Sequence, residues 1–335
     1  MNIFNKKTIL ITGGTGSFGS AFVKYLLDNH SQLSRIIIFS RDELKQYNIS
    51  QKLINHKNYA KLRFFLVDIR DKTRLVSALN DVDIVIHAAA LKQVEASEYN
   101  PIEFIKTNII GSQNVVEACL EAKVTKVVAL STDKAAAAIN LYGATKLCSD
   151  KLFLASNNIT GKKNIRFSVV RYGNVINSRG SVVPNFIKQK LDGVLKVTNP
   201  EMTRFSLTLR EGIENVMWAL KNGIGGEIIV PKIPSYKILD LAKAIDDKIK
   251  IKLIGTRQGE KIHEEMITIS DGKNTLDIST HYIIANNKEV KEKYIKKFKG
   301  KKVSDSFCYR SNLNNNFLTI SELKKIIKKE TKNID

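Results

Sequence analysis

Short apolar runs alternate along the chain with stretches in which apolar residues recur every three or four positions. Residues 8–12, 35–39, 62–67, 84–87, 126–130 and 165–171 read as strands. They are short and mostly apolar, as strands of a parallel sheet buried on both faces should be. Between them, residues 20–29, 42–53, 72–79, 101–122 and 141–157 carry helical spacing. Such alternation predicts an α/β fold, a Rossmann-type doubly wound parallel sheet. After about residue 172 the elements shorten, and Asn, Gly and Pro punctuate the chain. The expected division is a Rossmann domain over 1–172 and a smaller, mostly substrate-binding domain over 173–335. In such folds the chain can cross back to the sheet. The polar segment from about residue 288 reads as a basic tail.

Composition narrows the classes. The 335 residues are 43% hydrophobic, enough for a sizeable core, and no apolar run is long enough to span a bilayer. The N-terminus shows no separate apolar core and cleavage site, so a cytoplasmic protein without a membrane partner is expected. Cys119, Cys148 and Cys308 are scattered, and the five His form no ligand spacing; no catalytic metal is expected. Net charge is +21, with Lys concentrated over 288–302 and 324–332. Few aromatics are interleaved there, so these clusters read as solvated helix faces and not as a nucleic-acid site.

The chemistry starts at Thr12-Gly13-Gly14-Thr15-Gly16-Ser17-Phe18-Gly19, placed after the first strand and opening the first helix. Gly13, Gly16 and Gly19 suit a tight turn with backbone close to a pyrophosphate, which the helix N-terminus then binds. At the end of the second strand, Ser40, Arg41 and Lys45 stand where an NAD site usually carries an acid. A hydroxyl and cations suit a 2′-phosphate, so NADP is expected. Asp68 and Ile69 are placed for the adenine, and Ala88 and Ala90 for close passage of the cofactor.

Of the ten tyrosines only Tyr142 has a Lys four residues later, Lys146, one helical turn away on the same face. A phenol near pKa 10 is a poor base at neutral pH, and a neighbouring ammonium favours its phenolate. Lys146 could also hold the nicotinamide ribose. Upstream, Ser131-Thr132-Asp133-Lys134 follows the fifth strand at its carboxyl end, where such sheets bind ligands.

These residues resemble those of the extended short-chain dehydrogenase/reductases, and within them the inverting UDP-N-acetylglucosamine 4,6-dehydratases that open pseudaminic acid biosynthesis in flagellated bacteria. The matching stretches include ITGGTGSFG (11–19), HAAALK (87–92), LSTDKA (130–135), NLYGATK (140–146), SRGSVVP (178–184), MTRF (202–205) and GEKIHE (259–264). The resemblance implies that Tyr142 takes the C4 hydroxyl proton as hydride passes to NADP. Thr132 would polarise the 4-oxygen. Lys134 would remove the C5 proton, and Asp133 would protonate the departing C6 hydroxyl. A lysine base needs a neutral amine, so a lowered pKa is expected there. The resemblance further implies a cofactor contact from Asn108. Lys92, Asn174, Val175, Arg179, Val183, Thr198, Arg204, Arg257 and Glu260 would line a UDP-sugar site, and the family's habit is a homo-oligomer. A nucleotide-sugar 4-epimerase would need Tyr142 and Lys146 but no Asp133-Lys134 dyad. A non-catalytic nucleotide-binding protein would need neither.

The chain departs from the family at four places. Ala137-Ala138 stands where Asn-Pro is usual, and Gln93 and Glu95 replace His and Pro. Asn177 replaces a Gly, and Ser206 a Trp.

Overall fold

The computed structural model describes residues 3–178 and 180–331; the expectation for Arg179 falls outside them. The first half runs β1 (Thr8–Thr12), α1 (Ser17–Asn29), β2 (Arg35–Ser40), α2 (Glu43–Leu53), β3 (Leu62–Leu66), α3 (Lys72–Ala78) and β4 (Ile84–His87). Then come α4 (Val94–Tyr99), α5 (Pro101–Phe104), a π-helical turn over Ile105–Ile110, and α6 (Gly111–Glu121). β5 (Lys126–Thr132), α7 (Leu141–Ala155) and β6 (Arg166–Tyr172) complete it. The single helix expected over 101–122 is therefore three pieces. Its wide turn carries Asn108 beneath the loop after β4. There the Asn108 side chain bonds both Leu91 backbone groups at 2.9 Å and the Thr145 hydroxyl at 3.0 Å.

The second half begins with β7 (Asn174–Val175), α8 (Val182–Leu191), β8 (Val194–Val197), β9 (Thr203–Leu207) and α9 (Leu209–Asn222). It continues through β10 (Glu227–Pro231), β11 (Ser235–Lys237), α10 (Ile238–Ile245), β12 (Lys250–Leu253), β13 (Glu265–Ile267) and α11 (Ile269–Gly272). It ends with β14 (Thr275–Asp277), β15 (His281–Ala285), α12 (Lys288–Phe298), β16 (Lys301–Lys302), β17 (Tyr309–Arg310) and α13 (Ile320–Thr331).

Ten strands form one sheet in the order β16-β14-β15-β10-β6-β5-β4-β1-β2-β3. From β10 to β3 neighbours are parallel, and β15, β14 and β16 continue antiparallel. The order reverses between β1 and β4, the switch point at which open α/β sheets bind ligands. β1, β4 and β10 are buried at every position, which accounts for the apolar residues at their centres.

A boundary at residue 172 thus cuts through the sheet, because four strands from beyond it rejoin. What remains separate is a smaller core of Ile176, Val183, Phe186, Leu195, Tyr236 and Leu241, closed by Leu323 and Ile327 of α13. The two lysine clusters fall largely on helices. α12 and α13 each bury an apolar stripe and present lysines outward, as a 3.6-residue period requires. Among the described residues, no helix is long and apolar enough to cross a membrane.

One buried carboxyl tests this packing. Glu227, at the start of β10, is fully buried and accepts a 2.5 Å hydrogen bond from Ser168. Burial pushes it up to about 7, although its Ser168, Gly225 and Ile224 bonds act the other way. The folded state therefore binds the extra proton. This contribution is fully present below the ordinary glutamate value of 4.5 and is lost as pH rises through about 7. Urea unfolding should show stability falling by roughly 1–3 kcal/mol across that window, and Glu227→Gln should flatten the slope.

Candidate active site

The turn after β1 lies directly against the loop after β4. Gly13 has φ +66°, and a Cβ there would stand 2.8 Å from the Ala89 nitrogen. No larger residue fits both the conformation and the space. α1 starts at Ser17, with Gly16 as its cap and no side-chain bond to its first amides. Those N–H groups face a cavity of about 1060 Å³ that runs the width of the switch point. This cradle of bare backbone fits a dinucleotide pyrophosphate.

Gly13, Thr15, Gly16, Ser17, Phe18 and Gly19 all line the cavity. So do Ser40, Arg41, Lys45, Asp68, Ile69, Ala88, Ala90 and Lys92. The cations at the end of β2 are already paired. Lys45 reaches Asp42, and Arg41 lies 3.5 Å from Asp68, which also holds Arg70. Asn108 is not on the wall; its side chain is committed to Leu91 and Thr145, so it supports the loop that carries Lys92.

At the carboxyl end of β5 the chain tightens into a turn over Asp133–Ala135. The next helix is capped by Asn140, which accepts from Gly143 N at 2.7 Å and donates to Gly259 O at 2.8 Å. Gly143 is required here, because a Cβ would collide with the Lys134 carbonyl oxygen. Tyr142 and the Lys134 loop are thereby packed together. Lys146 is buried one turn on.

Charge is dense in this corner. Lys134 Nζ lies 3.1 Å from Asp133 Oδ1, 2.9 Å from Glu264 Oε1 and 3.4 Å from the Asn174 amide oxygen. Asp133 is wholly buried; its Oδ1 also accepts from Thr132, and its Oδ2 has no partner among the described residues. Burial, and then the Glu264 charge, hold the Asp133 carboxyl above the carboxylate range, with Lys134 and Thr132 opposing. For Lys134, burial alone would lower the ammonium's pKa, but Asp133 and Glu264 outweigh it and raise it. The expected neutral amine is thus not the resting state.

Tyr142 also departs from expectation. Burial pushes its phenol up to about 12, with the Lys134 charge and a Thr132 hydrogen bond working against that rise. The cation acting on the phenol is Lys134, not Lys146. Burial depresses Lys146 itself, with Asp150 opposing.

Asn174, Val175, Thr198, Arg204, Arg257 and Glu260 line the other end of the cavity. Val183 does not: it is buried in the smaller core, and Val182 faces the cavity instead. Sequence reasoning missed Glu264 and Lys261, whose amine donates to Ala136 O at 2.6 Å. Both lie in or beside the quoted GEKIHE stretch, but neither carries a spacing signal toward Lys134.

The departures now have local meanings. Asn177 adopts φ +62°, a left-handed conformation that Asn tolerates in place of Gly. Ala137 adopts φ +44°, where Ala has no such tolerance. Glu95 reaches Arg257 at 3.0 Å. Ser206 is buried with its hydroxyl unpartnered among the described residues.

Comparison with known proteins agrees with this arrangement. Residues 9–286 match a family described as polysaccharide biosynthesis protein. The chain belongs to that family. It is 50% identical to the inverting UDP-N-acetylglucosamine 4,6-dehydratase of Campylobacter jejuni subsp. jejuni, over 97% of this chain and 98% of that one. It is 42% identical to the UDP-glucose 4-epimerase of Rickettsia canadensis, over 84% of each. The structure of Pen from Bacillus thuringiensis superposes with TM-score 0.87 at 33% identity, covering 98% of this chain and 99% of that one. DesIV of Streptomyces venezuelae, a dTDP-glucose 4,6-dehydratase solved with NAD and TYD, gives TM-score 0.71 at 19% identity over 97% of each chain and shares the fold. Close homologues of this family member are thus inverting 4,6-dehydratases, on a Rossmann fold common to nucleotide-sugar dehydratases and epimerases.

Ala137 offers a direct check on the loop. Its side chain is exposed. Ala137→Asn should therefore raise unfolding stability by about 0.5–1 kcal/mol, read by urea or thermal denaturation, by relieving the left-handed conformation.

Proposed function

We propose that the chain is a UDP-N-acetylglucosamine 4,6-dehydratase that inverts C5 and yields a 4-keto-6-deoxy nucleotide sugar. The observation that carries this reading is that Lys134 and Tyr142 share the wall of the cavity that also holds the glycine turn, with Asp133 buried directly behind Lys134 at 3.1 Å. An epimerase needs the tyrosine and Lys146 alone. When bound, an oxidised nicotinamide dinucleotide would supply the hydride acceptor and the hydride returned at C6.

The chain's own groups divide the proton work. Tyr142 takes the C4 hydroxyl proton, with Thr132 and the Lys134 charge favouring its phenolate against the effect of burial. The 4-ketone acidifies C5–H, and Lys134 takes that proton once its amine is free. Asp133, whose carboxyl burial shifts toward the protonated form, gives its proton to the departing C6 hydroxyl. Its unpartnered Oδ2 is the atom free to carry it. Arg204 and Arg257 suit the sugar pyrophosphate as charged, forked donors.

In deuterium oxide, UDP-N-acetylglucosamine should give a 6-deoxy-4-keto product carrying deuterium at C5, followed by NMR. UDP-N-acetylgalactosamine without deuterium would instead establish an epimerase. Lys134→Ala should keep cofactor binding and lower turnover roughly a hundredfold or more; unchanged turnover would strip Lys134 of its role.

Ser40, Arg41 and Lys45 favour NADP as the dinucleotide. Arg41→Ala should weaken NADP binding roughly tenfold or more and leave NAD binding unchanged, measured by fluorescence titration. The product class suits surface-glycan synthesis, pseudaminic acid included, by a cytoplasmic homo-oligomer.

A further inference from the structure

Glu264 has no role in the mechanism above, yet it is the most constrained carboxylate in the site. Its backbone is fixed on both sides, since Glu264 N donates to Ser311 Oγ at 2.9 Å and Ser311 N donates to Glu264 O at 2.8 Å. Its side chain is 2% exposed. Oε1 lies 2.9 Å from Lys134 Nζ and 3.8 Å from Arg204 Nε, and Oε2 has no partner among the described residues. A buried carboxylate held this rigidly against one amine is more than a solvated surface pair, whose worth is small.

Lys134 is enclosed by groups from several elements. Asp133 precedes it, Glu264 approaches from the segment before β13, and Asn174 lies on β7. Arg204 on β9, Lys92 after β4, Lys261, Tyr142 on α7 and Tyr236 on β11 complete the charged and titratable surroundings. Two carboxylates touch the amine, and only Asp133 has a task of its own in the elimination.

We propose that Glu264 is a positioning residue that clamps Lys134 as an ammonium in the resting site, and that this contact must open before Lys134 can act on C5. The inference rests on Lys134 being the base. The proton balance requires such a step. The C5–H bond breaks toward the lysine nitrogen, an N–H bond forms, and the electron pair stays with the sugar as the enolate of the 4-ketone. An ammonium has no lone pair to receive that proton, so one proton must first leave Lys134 for water. No oxidant or reductant enters. The direction of the Lys134 shift, set against burial by the two carboxylates, agrees with the clamp.

The test uses the full-length holoenzyme and Glu264→Gln, which keeps the shape and removes the charge. Acetylation of Lys134 at mildly alkaline pH, followed by mass spectrometry and referred to exposed Lys288, should proceed roughly tenfold faster or more, as a fall of one pKa unit implies. The acidic limb of the kcat–pH profile should move to lower pH by a similar margin. A merely structural role would lower kcat without moving either profile. Glu264→Asp keeps the charge at longer reach and should fall between the two; it carries the test if the Gln variant fails to fold. Labelling and profile both unmoved in a folded Gln variant would overturn the proposal. Faster labelling together with an active Lys134→Ala enzyme would leave the clamp standing and remove the base role instead.

Discussion

The ammonium of Lys134 holds three distant stretches of chain to one another. It sits between Asp133 at the end of β5 and Glu264 before β13, with the amide of Asn174 on β7 closing the third side. Each carboxylate is buried deeply enough that neither could remain charged there alone. The cation is what lets the end of β5 and the segment before β13 meet at this point. Its removal would leave two acids facing each other in a region of low dielectric.

The same contact sets the two acids against one another. Asp133 is driven above its ordinary range and Glu264 below it, although both are buried. The difference comes from the second cation, since Arg204 stands by Glu264 and not by Asp133. The two carboxyls are thereby pushed in opposite directions by their surroundings. Pairs of titratable groups pushed apart by their surroundings are how a site runs acid and base chemistry at one pH.

Much of the fold was legible because its signals are local. The strands up to β6, the glycine turn and the helix that carries both Tyr142 and Lys146 follow from spacing within a few residues. The unread parts depend on contacts between residues far apart in the chain. Val183 looks like any apolar residue beside a ligand motif until α8 turns it into the smaller core. Asn108, a cofactor contact by the resemblance, is instead swung under Leu91 by a π-helical turn that has no sequence signature. Glu264 meets Lys134 only through the return of the chain past β12. The depressed pKa expected for Lys134 failed for the same reason, because the second carboxylate was invisible.

The strand order carries a consequence for the growing chain. β10 pairs with β6 only after the whole stretch from β7 to α9 has been made. Until then β6 is the outer edge of an incomplete sheet, and its Phe167, Val169 and Val170, fully buried in the finished fold, lack their covering strand. An apolar edge of this kind templates pairing with other chains. Synthesis of the segment from β7 to α9 is thus the interval in which a nascent chain most needs a chaperone to cover that edge.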